Sequence, residues 1–512
     1  MRQLSELDAS FLYLESDTAP MHIGGIYIFD GQECRTPLSF STFVAYLQSR
    51  LHVVPFFREK LQQVPLRLGA PYWVDDANFS IERHLAYVKM GARNDADSLM
   101  ALASRILQEP LKRDRPLWHI TFVDGLNTSA ENRAPDEGQG FALIVRLHHA
   151  AIDAFSGEEI MGKLLEYSPH PDPIKSPQPW RPRPAPTDER ALLHVGANLI
   201  RKPFRFASLA STAIEATTRG VIQKQLRKLP LPLPLFSAPH SPFNRQITAN
   251  RRVLGKSMPL SRLKAIKASI GDVTLNDVVL GLCAEILRRY LVENNVELQR
   301  SLVAMTPVSV RSKSLRRPTG NQMSAMLLDL ATNETCPATR IRRIHWNAVA
   351  SEPYQEAIAA DRLTELVPST MLALSARLYT ELQLAQRYQP VFNVPITNVP
   401  GPQVPLYLQG AKLTHQYNTA PLFDSMGLVI VAVSYEGQLT LNFTLCPDVV
   451  PDGHRLIELV EPSLDSIEAA AAKLPMETSE QMEPNGHGST LLDDALSVME
   501  GVIRKSVGRF KR

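Results

Sequence analysis

At 512 residues the chain exceeds what one hydrophobic core can organise, and a prior of about 150 residues per domain suggests roughly two to four domains. Apolar residues at 44% and charged residues at 21% match ordinary globular usage, which excludes a disordered chain, a collagen-like repeat and a coiled coil. The net charge of +3 is the small difference between 55 basic and 52 acidic residues, and it gives no case for nucleic acid as a partner.

The N-terminus carries Glu6 and Asp8 where a secretory signal would carry an apolar run. Cys34, Cys283, Cys336 and Cys446 lie far apart with no CxxC pair, which fits a reducing compartment better than a disulfide scaffold or a zinc ribbon. No stretch reaches the roughly 18 apolar residues of a spanning helix. The longest apolar run, around Met426–Val433, has strand length. A soluble or peripherally bound cytoplasmic protein is expected.

Along the chain, Leu99, Met100, Leu102, Ala103, Ile106 and Leu107 recur at helical spacing. Trp118–Val123 and Phe141–Leu147 alternate as strands do. Pro169–Pro186 then holds eight prolines in eighteen residues, a composition that reads as an extended connector of polyproline type. A second proline cluster, Leu229–Leu235, closes the segment between two blocks. Val278, Val279, Leu282, Cys283, Ile286, Leu287, Tyr290 and Leu291 form the clearest helical stripe, with Thr274 as N-cap and Asp277 completing a capping box. Strands follow at Leu302–Met305, Gly427–Ser434 and Leu439–Leu445. The reading is an α/β protein with mixed sheets. Its divisions are a first block at 1–168, a Pro-rich and basic linker at 169–244, a second block at 245–475 and a polar and basic tail at 476–512.

The segment Leu147-His148-His149-Ala150-Ala151-Ile152-Asp153-Ala154 carries the most chemistry. Two adjacent histidines end a strand, with a carboxylate four residues after the second. An imidazole with a pKa of about 6.5 is the side chain best matched to moving a proton at neutral pH. Metal binding is disfavoured, because neighbours on a strand point to opposite faces and no third ligand stands at a recognisable spacing. No GxGxxG or GxxxxGK[ST] loop occurs, so nucleotide chemistry is disfavoured as well.

The HHxxxD pattern after an alternating strand resembles the catalytic motif of the coenzyme-A-dependent acyltransferase superfamily, which includes chloramphenicol acetyltransferase and peptide-synthetase condensation domains. Four further landmarks narrow the resemblance to the bacterial wax ester synthase/diacylglycerol acyltransferase family. They are Leu7–Glu15 with Pro20–Gly25, Arg115-Pro116-Leu117-Trp118, Asn276-Asp277, and Ile396–Pro402 with its NVPGP core. They occur in the family's order and span almost the whole chain up to about 475.

The resemblance implies two chloramphenicol-acetyltransferase-like halves with an active-site tunnel between them. It implies transfer of a long acyl group from acyl-CoA, a co-substrate, to diacylglycerol or a long-chain alcohol, with no cofactor and no metal. His149 would be the general base and His148 a supporting residue. Asp153 would organise the loop by pairing with an arginine of the other half, for which Arg311 is the candidate. Asn276, Thr397 and Asn398 would donate to the oxyanion or position substrate. Trp118 and Pro116 read as packing residues, and Glu15 and His22 have no assignable role from sequence. One departure stands out: the family motif ends in glycine where this chain has Ala154, and a β-carbon there restricts the loop.

From Arg190 to Lys228 eight basic residues accompany the single acid Glu215, interleaved with apolar side chains. The segment reads as a surface settling on an anionic membrane or lipid droplet, or as a crossover helix with a solvated basic face. Greasy substrates favour the first. Two other functional readings stay open: a lipid-binding droplet protein on the same fold that lost turnover, and a condensation-like acyltransferase fed by a carrier protein.

Overall fold

The structure, a computed structural model, describes residues 2–31, 34, 38–65, 69–91, 93–127, 140–151, 157–170, 180–185, 187, 189, 236–309, 323–357 and 389–474. Asp153, Ala154, Arg311, the basic segment 190–228 and the tail from 475 lie outside the described residues. The described residues up to Ala471 form one compact unit.

The first part of the chain supplies β1 (Arg2–Gln3), α1 (Glu6–Leu14), β2 (His22–Asp30), α2 (Phe40–Arg50), β3 (Glu59–Gln62), β4 (Tyr72–Asp75), β5 (Leu85–Lys89), α3 (Ala96–Ile106), β6 (Trp118–Leu126), β7 (Gly140–His148) and α4 (Gly157–Leu164). The later part supplies β8 (Arg252–Pro259), α5 (Leu260–Ile270), α6 (Leu275–Glu293), β9 (Val303–Ser309), β10 (Met323–Asp329), α7 (Pro337–Ala357), β11 (Val394–Pro400), β12 (Tyr407–Leu408), β13 (Ala411–Thr419), β14 (Leu428–Tyr435), β15 (Gln438–Leu445), α8 (Gly453–Glu458) and α9 (Val460–Ala472).

Two six-stranded sheets dominate, ordered β12-β13-β2-β7-β6-β5 and β10-β9-β11-β14-β15-β8, beside a small sheet β1-β4-β3. Both large sheets are mixed: β5 runs parallel to β6, and β11 runs parallel to β14 and β9. Although β12 and β13 belong in sequence to the second block, they extend the first sheet by pairing with β2. The sheets therefore exchange chain.

Strand β7 is buried along its whole length, because the first sheet is covered on both faces. Leu143, Val145 and Leu147 point to a core shared with Leu12 of α1 and with Phe43 and Leu47 of α2. Ala142 and Ile144 point the other way, onto Leu99, Met100, Ala103 and Leu107 of the α3 stripe. Burying each large apolar side chain is worth about 1.5–3 kcal/mol, so this double cover fixes the strand's register and the position of its last residue.

Helix α6 starts at the capping box read from sequence: Thr274 N donates to Asp277 Oδ2 at 2.7 Å, and Asp277 N donates to Thr274 Oγ1 at 3.2 Å. Its apolar stripe packs on α7 so closely that a Cβ on Gly281 would come within 2.3 Å of Ile341. The strand read at Leu302–Met305 is described as β9 through Ser309, the last described residue before Arg311.

The two parts of the fold interlock. Val253 N of β8 donates to Ser104 Oγ of α3 at 2.9 Å, and the buried Arg251 guanidinium donates to Thr18 O. Tyr417 of β13 lies over β8 where Gly255 leaves room; a Cβ there would meet its ring at 2.3 Å. The described end of the Pro-rich connector is also anchored. Arg183 donates to Asp75 through N at 2.8 Å, and the Arg58 guanidinium lies 4.6 Å over the Trp180 ring.

Candidate active site

His148 is the last residue of β7 and lies opposite His22 of β2. Strand alternation puts it on the α3 side with Arg146 and Ile144. Its Nδ1 accepts from Ala150 N at 3.1 Å, and its Nε2 faces Glu15 Oε1 at 3.5 Å. Burial lowers its pKa, and the Glu15 carboxylate opposes that shift.

His149 leaves the strand and opens a 3₁₀ turn, His149–Ala151. Its backbone N–H donates to Met21 O at 2.7 Å, and its ring stacks on Phe11 of α1 with centroids 3.9 Å apart and planes 25° apart. Among the described residues its enclosed Nδ1 finds no hydrogen-bond partner on another residue. Burial, joined by the neighbouring His148, pushes its pKa down to about 4. The imidazole is therefore neutral at physiological pH, with a free lone pair. That is the state a proton acceptor needs.

A band of polar side chains supports this turn from the α3 side. Glu15, the C-cap residue of α1, is buried at its carboxylate and pairs with Arg113, whose Nε donates at 2.8 Å. Burial alone would raise the Glu15 pKa, but His148 and Arg113 outweigh it and hold the carboxyl at about 2. Arg146 caps the end of α3, donating to Ile106 O at 2.8 Å and Glu109 O at 2.7 Å. Burial and the charge of Arg146 lower His22 to about 3 and His119 to about 4. Trp118 is a packing residue, donating from Nε1 to Phe57 O at 3.0 Å with its ring stacked on His84. The Leu117 and Pro116 beside it are buried.

The later motifs meet each other. Asn398 Nδ2 of β11 donates to Asn276 Oδ1 in the first turn of α6 at 3.2 Å, and Asn276 is exposed. Asp277, beside it, accepts from His345 Nδ1 of α7 at 2.8 Å as well as from Thr274. Thr397 and Asn398 are consecutive on β11, so their side chains point to opposite faces. Thr397 is level with Val431, which is level with Asn442, which is level with Gly255. That row lies on the face that Tyr417 of the first sheet covers. Thr397 thus faces the part of the fold that carries His149, while Asn398 faces the helix layer. Among the described residues no hydrogen bond or ring contact joins Asn276, Thr397 or Asn398 to His149.

Phe11, Glu15, Arg113 and Met21 were not assigned roles by sequence reasoning. The landmark Leu7–Glu15 contains Phe11 and Glu15 and its companion Pro20–Gly25 contains Met21, but nothing in the spacing of Arg113 marked it.

Comparison with known proteins agrees with both the motifs and the architecture. Residues 4–279 match the wax ester synthase/diacylglycerol acyltransferase catalytic domain, and residues 319–468 match the C-terminal domain of the same family. A probable diacylglycerol O-acyltransferase of Mycobacterium tuberculosis is 33% identical over 475 residues, covering 90% of this chain and 98% of the relative. The solved wax ester synthase/diacylglycerol acyltransferase from Marinobacter aquaeolei VT8 superposes with a TM-score of 0.62 at 27% identity, over 92% of this chain and 100% of that one. The first condensation domain of the calcium-dependent antibiotic synthetase shares the fold at a TM-score of 0.54 and 16% identity, over 94% and 99% of the two chains. With both halves matched in order along one chain, the protein is an acyltransferase belonging to the wax ester synthase/diacylglycerol acyltransferase family.

Proposed function

We propose that this acyltransferase moves a long-chain acyl group from acyl-CoA to the hydroxyl of diacylglycerol, of a long-chain alcohol, or of both. His149 takes the acceptor's hydroxyl proton as the oxygen attacks the thioester carbonyl directly, with no acyl-enzyme. The tetrahedral intermediate then collapses, the C–S bond breaks, and the imidazolium returns its proton to the CoA thiolate. Base catalysis of this kind contributes about 10²–10⁴-fold, and positioning of the two substrates adds to it. The observation that carries the reading is the neutral His149 ring at the end of β7, stacked on Phe11, shielded at Nδ1 and partly open to solvent.

Thr397 is the proposed oxyanion or substrate-positioning donor, because its face of β11 is turned toward the first sheet. Asn276 and Asn398 act in this reading as a clasp between α6 and β11. Asp153 paired with Arg311 is proposed to hold the His149 loop across the two parts of the fold. Acyl-CoA is a co-substrate, and the reaction calls on no cofactor or metal. Among the described residues no helix is long and apolar enough to cross a membrane. Reaching greasy substrates is assigned instead to peripheral contact of a cytoplasmic protein with an anionic membrane or droplet surface, through the basic stretch 190–228.

The test offers purified protein palmitoyl-CoA with diolein and hexadecanol together, following free CoA and both lipid products. Triacylglycerol or wax ester formed in step with CoA supports the reading, and the product ratio assigns the acceptor. Lipid binding without CoA release would overturn it.

A further inference from the structure

We propose that Glu15 is a positioning residue for acyl transfer, its carboxylate gripping the His149 turn through His148 on one side and Met21 on the other. The inference rests on the reading of His149 as the base.

Two arms leave the carboxylate and converge on adjacent backbone amides. In the first, His148 Nδ1 accepts from Ala150 N at 3.1 Å, so that nitrogen carries no proton and the ring's proton sits on Nε2. That proton faces Glu15 Oε1 at 3.5 Å. In the second, Met21 N donates to the same Oε1 at 3.4 Å, and Met21 O accepts from His149 N at 2.7 Å. The N–H groups of His149 and Ala150 thus both lead, one residue removed, to a single oxygen, through a hydrogen bond on the Met21 side and through a 3.5 Å approach, longer than a hydrogen bond, on the His148 side. The other oxygen, Oε2, takes the Arg113 guanidinium, which also donates to Leu12 O near the end of α1. Phe11, one helical turn before Glu15 on the same face of α1, stacks on the His149 ring. Helix α1 therefore meets the base twice, once at its ring and once through its backbone.

This arrangement also explains why His148 is a poor base. Its Nδ1 lone pair is taken, its Nε2 carries the proton, and the ring is fully buried. Its service is to carry the grip of Glu15 to the turn. The charged and titratable groups facing the carboxylate are Arg113, His148 and, more distantly, His22.

Steady-state CoA release by wild type, Glu15→Gln and Arg113→Gln across pH 4.5–8, with ¹⁵N-histidine spectra of each, decides the matter. For Glu15→Gln kcat falls about 10–100-fold while KM for acyl-CoA stays within about twofold, the size of loss seen when groups that orient metal-bound imidazoles from behind are removed. Arg113 is partly exposed at the surface, so its variant keeps the test open if Glu15→Gln does not fold. Without its counter-ion the buried carboxyl titrates higher, and Arg113→Gln gains an acid limb above that of wild type, recovering activity as pH rises. In wild type one histidine, identified by its loss in His148→Gln, shows the locked tautomer with unprotonated Nδ1; Glu15→Gln releases it. An active wild type with unchanged kcat in Glu15→Gln overturns the grip and leaves the reaction standing. Equal losses of kcat, KM and thermal stability at every pH overturn it as well. A silent wild type whose His148 tautomer still depends on Glu15 overturns the reaction and leaves the grip standing.

Discussion

The turn after β7 and the junction of α6 with β11 were both marked by short motifs, yet they are built in opposite ways. At the first, burial leaves an imidazole neutral, stacked and without a polar partner on another residue for its enclosed nitrogen. At the second, Asn398 and Asn276 bond to each other at 3.2 Å, and Asn276 is open to solvent. A neutral imidazole with a lone pair to offer can take a proton from a ligand; a satisfied exposed pair holds two elements together. A motif marks a place in the chain, and the surroundings of its atoms decide what that place does.

The contrast breaks most sharply at the base. His149→Ala should lower CoA release by about 10²–10⁴-fold with the fold intact by circular dichroism. Activity within a few fold of wild type would remove His149 from the chemistry. Next comes Thr397→Val, which keeps the shape and deletes the hydroxyl: loss of a direct oxyanion donor costs about 10²-fold in kcat. Should Asn398→Ala exceed it, the assignment of β11's two faces would have to be reversed. Phe11→Leu removes the ring on which His149 rests. The stacking energy of about 0.5–1.5 kcal/mol corresponds to a loss of roughly 2–12-fold in kcat, read at saturating acyl-CoA. Asn398→Ala should be mildest, changing kcat less than about threefold and lowering stability by about 0.5–1.5 kcal/mol in urea titration.

Much of the scaffold was legible before folding. The alternation of Phe141–Leu147 placed both histidines at a strand end, and β7 ends at His148. Thr274 and Asp277 announced the head of α6 through a local hydrogen-bond pattern that needs nothing from the rest of the chain. What stayed hidden depends on long-range pairing. Ala411–Thr419 has an ordinary strand composition, and nothing local says that it adds to β2 rather than to its neighbours in sequence. Glu15 was visible as a landmark, but its meaning comes from Arg113 and His148, far away in the chain. Thr397 and Asn398 looked equivalent as motif members; only the strand's alternation and the position of Tyr417 separate them.

The pH dependence of kcat/KM for CoA release by the wild-type protein probes the central claim most directly. A base must be unprotonated to act, so lowering its pKa extends activity toward acid. With His149 held near 4 by burial, kcat/KM should stay level from pH 8 to about 5.5 and fall only as pH approaches about 4. An acid limb centred near the ordinary imidazole value of about 6.5 would place the working proton on an unperturbed ring and contradict the assignment of the base to His149 in this setting.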